Sequence, residues 1–560
     1  MKIEHSCYGY HPLSLRLVAG LIVSDLQQPG DIAAALRLDV AGDLVARRHH
    51  VLEMAYDSLT PTRKALLSRI ACFRSPVKYE ALKALAEADP LTPSLSPKGG
   101  EGARRAGEGR HSSATETLDT DLRDLVARGL VHHDTKEGRF DLHPIVRRYA
   151  YDRLAAPDRA AAHTRLRDYF AAVPAPDKVT HLEDLAPVIE LYHHTVRAGQ
   201  FDEAFTLYRD RIIRAAYYQL GAYLLQIDLL RALFPDGEDR PPRMKDESAQ
   251  SWTLTALANS YGLSGQPRRA VPLYEKHIAV REKLGSKSNL AIGLANLAED
   301  QLNIGALRAA EASLRRGIAL CREAENESSE ASGHRDVGQV LAYRGAYAES
   351  ETELAMALKV FEERVNLQGQ GITWAYRALR ELLLLRSRPR SALSTPHSTI
   401  ESARRGLELA DEDARTDYPI ERDYVRAHWL LGAAHCVAGQ FDEAERHLHE
   451  ALERCRRINL VDHEADILID LARLRAVTGA PDEARRLAEE ALVISERSGY
   501  VLQGADAHLE LAKLALARGD KATAKEHAQK ARDLATCDGP PDYTYKAAYD
   551  EAGALLAQLK

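Results

Sequence analysis

The sequence predicts a mainly all-α protein: an α-solenoid of stacked helical pairs, a superhelix, preceded by a small helical domain with a two-stranded wing. Three observations carry this. One phrase recurs every 40 residues through much of the C-terminal half, a helix–strand–turn–strand–helix order stands near residue 130, and the composition is that of a globular chain. With 560 residues, 45% apolar and 28% charged, collagenous, coil-only and disordered classes are excluded.

The phrase is Leu-Ala or a near equivalent, then a glycine, then an alanine. Leu257-Ala258 leads to Gly265 and Ala270, Leu297-Ala298 to Gly305 and Ala310, and Val337-Gly338 to Gly345 and Ser350. It returns as Leu431-Gly432 with Gly439 and Ala444, Leu471-Ala472 with Gly479 and Ala484, and Leu511-Ala512 with Gly519 and Ala524. Each unit reads as two amphipathic helices joined by a tight turn. Leu254, Leu257 and Ala258 share one face of a first helix, Gly265 ends it, and Ala270 lies at the start of the second. Ala444 and Ala451, or Ala484 and Ala491, fall seven residues apart, on the face that must approach a neighbouring helix closely. A lone pair cannot bury that face, so the units stack.

These positions resemble the tetratricopeptide repeat, whose pattern of leucine, small residue, glycine and later alanines they match. The resemblance covers roughly residues 250–560, with a stride of 40 where the family's is about 34. Lengthened repeats of this kind are a feature of signalling ATPases. Gly199-Gln-Phe-Asp-Glu-Ala204 nearly repeats Gly439-Gln-Phe-Asp-Glu-Ala444, which places the start of the array near residue 185 with a degenerate second unit. Between Gly345 and Gly439 one irregular unit is expected, its extra residues forming a Pro/Ser-rich loop from Ser387 to Ser398 after a core stretch Leu382–Leu385.

In the N-terminal quarter, Pro12 opens a helix with Leu13, Leu17 and Leu21 on one face. Leu122–Val131 is a helix stopped at Gly129, and then come strands at Leu130–His133 and Phe140–Leu142 around the turn Lys136–Gly138, and a further helix. That order describes a winged helix. Together the pieces resemble the end of the nucleotide-binding region of STAND-type signalling ATPases, the NB-ARC family, in bacterial form. The family's Gly-x-Pro-Leu motif would be carried by Pro12 and Leu13, with Tyr10 in place of glycine, and its Met-His-Asp motif by Leu142-His143-Pro144. The resemblance implies that Pro12 packs near an adenine and that His143 reaches a β-phosphate. Read alone, a His-Pro pair is a helix start.

The family's phosphate-gripping Gly-Lys-Ser/Thr loop does not occur, so the chain reads as a C-terminal portion lacking the catalytic fold. No cofactor is expected, ADP or ATP only if the missing nucleotide-binding domain is present. Ala465–Asp470 imitates a magnesium-binding strand but reads as repeat core with two surface aspartates. The expected domains are a helical remnant over 1–50, a winged-helix-like domain over 51–160 with a low-complexity insertion at 90–116, linking helices and degenerate repeats over 161–248, and the array over 249–560, irregular near 386–404.

The net charge of −7 argues against a polyanion binder, and the helix Leu118–Leu130 sets Arg123 and Arg128 against Asp119, Asp121 and Asp124, so nucleic acid is not expected as a partner. Scattered cysteines with no Cys-x-x-Cys, and no run of eighteen apolar residues, point to a cytoplasmic chain without membrane spans. An enzyme has least support: the adjacent pairs His49-His50, His132-His133 and His193-His194 are expected to point to different helix faces and to make poor metal sites. The favoured function is a non-catalytic scaffold holding a protein or peptide in its concave groove, with Asn259, Glu299, Arg335, Gln339, Arg426, Arg473 and Lys513 as groove candidates. The alternative is an ADP/ATP-controlled switch or transcriptional regulator working with a separate nucleotide-binding subunit.

Overall fold

The computed structural model describes residues 12–23, 44–86, 114–176, 178–387, 396–416 and 418–560. Two compact units make up the chain, Met1–Val179 with Glu183–Leu207, and Thr180–Leu182 with Tyr208–Lys560.

The first unit contains α1 (Pro12–Val23), α2 (Leu44–Asp57), α3 (Pro61–Ile70), β1 (Val77–Lys78), α4 (Tyr79–Ala86), α5 (Ala114–Ala127), β2 (His132–Asp134), β3 (Arg139–Asp141), α6 (Pro144–Asp152), α7 (Ala156–Ala171), α8 (Ala186–Arg197) and α9 (Phe201–Leu207). Thr60 caps α3 by accepting from the Arg63 N–H, and Pro61 stands in the first turn, where a missing N–H costs nothing. The strands form an antiparallel sheet in the order β1-β3-β2. The second strand begins two residues later than the sequence suggests, because Leu130 and Val131 turn their N–H groups back to the Leu125 carbonyl, 3.1 and 3.2 Å away. The sequence reading does not contain β1, since two residues are too few to show a period. Leu82, Leu85, Leu125, Val131 and Val146 are fully buried in this unit's core. The α5 acids are committed locally: Asp121 and Asp124 pair with Arg63, at 2.8 and 3.0 Å, and Asp119 accepts from the Tyr79 hydroxyl.

The second unit opens with π-helical turns at Tyr208–Ile212 and Arg214–Gln219 and α10 (Tyr223–Arg231). Seven helical pairs follow among the described residues: α11 (Glu247–Leu263) with α12 (Pro267–Lys283), α13 (Lys287–Asn303) with α14 (Leu307–Glu323), α15 (Glu327–Arg344) with α16 (Tyr347–Glu363), α17 (Leu367–Ser387) with α18 (Pro396–Ala414), α19 (Glu421–Val437) with α20 (Phe441–Arg457), α21 (Val461–Val477) with α22 (Pro481–Ser498), and α23 (Val501–Ala517) with α24 (Lys521–Ala535). A last helix, α25 (Lys546–Gln558), ends the array. This is an all-α, tetratricopeptide-like solenoid. Most of the loop expected between Ser387 and Ser398, and the insertion at 90–113, lie outside the described residues.

Every phrase glycine ends its first helix in the left-handed region, with φ of 75° to 84° at Gly265, Gly305, Gly345, Gly439, Gly479 and Gly519. The following N–H reaches back five residues in each case, from Gln266 to the Tyr261 carbonyl at 2.8 Å and from Ala306 to Gln301 at 2.8 Å. This closes the Schellman cap that a residue with Cβ would strain. Ala270, Ala310, Ala444, Ala451, Ala484 and Ala491 are fully buried, so the paired helices meet through their small residues.

Candidate functional site

The superhelix returns on itself. A Cβ built on Gly265 would lie 2.6 Å from Val461, one on Gly305 2.7 Å from Val501, and one on Gly345 2.5 Å from the Lys546 stem. Val461, Val501 and Lys546 are the first residues of α21, α23 and α25, so the turns of the first three pairs rest on helix starts about five repeats later. Asp538 accepts from the Arg308 N–H at 2.7 Å, and Arg308 and Arg344 both lie 4.1 Å from the Tyr543 ring centroid. The concave groove expected from the sequence is therefore the inner wall of a closed turn, lined by first helices.

That wall encloses one large cavity of about 1030 Å³ and several small ones. Arg473 and Lys513 line the large cavity. Glu299, Arg335, Gln339 and Arg426 line a pocket of about 120 Å³, and Asn259 shares one of about 90 Å³ with Glu299. The seven groove candidates line these cavities and divide between a roomy end and a narrow one. At the narrow end most are already engaged. Arg426 is buried and pairs with Asp423 at 2.8 Å, Arg335 pairs with Asp336 at 2.8 Å, and the Asn259 carbonyl accepts from the Tyr274 hydroxyl at 2.6 Å.

The roomy end carries a fixed ionic lattice. Arg386 grips Asp506 with two nitrogens, at 2.6 and 2.9 Å, and Tyr545 donates its hydroxyl to the same carboxylate at 2.9 Å. Arg473 bonds Asp470 and Glu510 at 2.8 and 2.9 Å, and Lys513 joins Glu510 and Glu551 at 2.9 and 2.5 Å. Burial would raise Glu510, yet Lys513 and Arg473 hold it down to about 2. Burial would also raise Asp506, and Arg386 and Arg473 bring it below the usual carboxylate range. Among the described residues no cation bonds Asp466, and burial pushes it up. Around this lattice stand buried Leu382, Leu383, Leu384 and Trp429, and at its edge the exposed Val437, Phe441 and Val477.

The reading of Asp466 and Asp470 as surface aspartates is corrected by this geometry. Asp470 is buried and accepts from the Trp429 indole at 2.7 Å, and Asp466, half-buried, lines the cavity. A carboxylate on the inner face of a first helix is interior once the turn closes. Sequence reasoning also missed Arg386, Asp506, Glu510 and Tyr545. The 40-residue stride was the available signal, because positions 426, 466 and 506 are equivalent, as are 470 and 510.

In the first unit His143 is exposed and caps α6, its Nδ1 accepting from the Ile145 N–H at 3.3 Å. Pro12 begins α1, and its side chain lies outside the described residues. The expectation that adjacent histidines diverge fails for one pair. The His193 and His194 rings lie 5.2 Å apart and both approach His163, because α7 packs across that face of α8.

The tetratricopeptide-repeat family model matches residues 423–497, the two pairs from α19 to α22. Among curated proteins no match is found. Among solved structures the chain is similar to a Pyrococcus horikoshii signal transduction ATPase with numerous domains that bears a tetratricopeptide-repeat sensor. Identity is 14% over 94% of this chain and 68% of that one, with a TM-score of 0.37. It is similar to a Rap protein complexed with competence and sporulation factor at 10% identity over 72% and 95%, TM-score 0.44. Yeast Tom70 is similar at 14% identity over 71% and 93%, TM-score 0.32. Likeness at these identities concerns the fold alone. The matched repeats and the stacked pairs make this a tetratricopeptide-type repeat protein, an architecture that typically serves as a protein-interaction scaffold. Among the described residues no helix is long and apolar enough to cross a membrane.

Proposed function

We propose that the chain is a non-catalytic interaction scaffold, the sensor portion of a STAND-type signalling protein, and that its large interior cavity holds a peptide segment. The observation that carries this is the meeting of exposed apolar side chains, Val437, Phe441 and Val477, with a rigid set of charges in one cavity. Apolar surface anchors a ligand and fixed polar groups orient it. Four carboxylates (Asp470, Asp506, Glu510, Glu551), with Asp466 pushed toward its neutral form by burial, face three cations (Arg386, Arg473, Lys513), so a peptide with apolar anchors and a Lys or Arg is preferred. The three-stranded sheet with α3, α4 and α5 supports a winged-helix neck over 51–160.

The test is selection of peptides from a phage-displayed random library against the full chain, followed by titration of the synthetic winners. Winners rich in apolar and basic residues are expected, with affinity falling about tenfold or more in Val477→Arg, as expected for a lost anchor plus charge repulsion. Acidic winners, or winners indifferent to Val477→Arg and Val437→Arg, would remove the cavity from consideration.

A second reading, an ADP- or ATP-controlled switch with a separate nucleotide-binding subunit, draws support from the exposed His143 ring at the start of α6. Its Nδ1 is already taken by the cap, which is why the scaffold reading is preferred. Micromolar ADP binding by the isolated chain, abolished by His143→Ala, would reverse that preference.

A further inference from the structure

The three histidines of the first unit stand apart from the peptide-binding reading. His163, on α7, and His194, on α8, are fully buried, and half-buried His193 adjoins them. One ring nitrogen from each lies within 4.8 Å of the other two. The ring centroids are separated by 5.2 Å (His163 to His194), 5.2 Å (His193 to His194) and 5.9 Å (His163 to His193). A tetrahedral zinc with Zn–N of about 2.0–2.1 Å places its imidazole nitrogens about 3.3 Å apart and the ring centroids about 5 Å apart. The trio is close to that arrangement, with the Nδ1 atoms of His163 and His194 already 2.9 Å apart.

The surrounding groups are those that orient metal-binding imidazoles. With both Nδ1 atoms turned to a shared point, the outer nitrogens face polar partners. The Tyr151 hydroxyl lies 3.0 Å from His163 Nε2, and Glu190 Oε2 lies 3.6 Å from His194 Nε2. Neither the Glu190 oxygen nor His194 Nε2 has a hydrogen bond, although both are buried. Ser75 fixes the other Glu190 oxygen at 2.9 Å. A carboxylate behind a ligating histidine sets its tautomer and raises its basicity. Phe170 stacks on His194 and Phe73 meets it edge-on, which keeps the rings from turning freely. Burial, reinforced by neighbouring arginines and by the other histidines, lowers His163 to about 4, His194 to about 3 and His193 to about 2. The rings are therefore neutral at physiological pH, with lone pairs available. Arg74, Arg159 and Arg197 act on the cluster and oppose a cation, and Glu190 favours one.

We propose that His163, His193 and His194 bind one zinc ion, with water in the fourth position, and that the ion clamps α7 to α8. The competing account is a metal-free core of hydrogen-bonded histidines. The chain contains its own control for that account: His508 and His527 share an Nδ1-to-Nδ1 contact of 2.9 Å with no third histidine beside them among the described residues.

The untagged full chain, stripped with chelator and dialysed against zinc chloride, is to be assayed for bound metal by mass spectrometry and for thermal unfolding. Cobalt(II) is the spectroscopic probe of nitrogen coordination. About one zinc per chain, a raised melting temperature and tetrahedral cobalt bands are expected, all retained in His508→Gln and lost in His194→Gln. Should His194→Gln fail to fold, His193→Gln, at the half-buried member, decides by an expected tenfold or greater loss of zinc affinity. Zinc far below one equivalent in the wild type, or equal losses in His193→Gln and His508→Gln, would overturn the site.

Discussion

At the residue scale the interior charges and the histidine trio follow one rule: burial moves a group toward its neutral form unless a partner of opposite charge is fixed beside it. Glu510 and Asp506 have such partners and stay ionised, whereas Asp466 and the histidines do not. The trio has a consequence for acid stability. Its folded values, about 4 for His163 and about 3 for His194, lie below the unfolded value near 6.5, so below that pH the unfolded chain takes up more protons than the folded one. The stability of the first unit should therefore fall as pH drops from about 6.5 toward 4. Chemical denaturation across that range, with metal removed, checks this; a profile unchanged by His163→Gln would contradict it.

At the scale of the element, the turns within and between most units use the same cap with different residues. In six of the seven pairs the turn inside the unit has glycine, the exception being the pair of α17 and α18. The turn between units has Gly285 and Gly499 at two places but Glu325, Val365 and Asn459 at the equivalent ones, all with φ of 52° to 77°. Val365, β-branched and exposed, at φ 54°, is the most strained of these. Its N–H environment is that of the glycine caps, Asn366 N–H reaching the Phe361 carbonyl at 2.9 Å. Val365→Gly should stabilise the array by about 1 kcal/mol, the cost of a left-handed L-residue, read as a rise in the unfolding midpoint. A fall would mean that the exposed valine side chain contributes packing energy here.

The largest scale is that of the closed turn. Gly305 and Gly519 have nearly the same φ, 78° and 81°, but only Gly305 abuts another helix, at Val501. Gly519→Ala should cost the backbone penalty alone, about 1–2 kcal/mol. Gly305→Ala adds a steric conflict and should cost about 1–3 kcal/mol more. It should also enlarge the radius measured by small-angle scattering if the turn opens. Equal costs and equal radii would show that contacts between distant repeats do not hold the solenoid closed.

The helical pairs, their turns and their small-residue faces were legible in the sequence, because hydrogen bonds from residue i to i+4 and a glycine's positive φ are local properties repeated every 40 residues. What only the tertiary structure decided was where the accumulated rotation between repeats brings the chain back. Val461 meeting Gly265, the bonding of Arg386 to Asp506 and Tyr545, the burial of Asp470 and the meeting of His163 with His193 and His194 all join separate elements. No local periodicity records such encounters, since each depends on small angles summed over intervening helices.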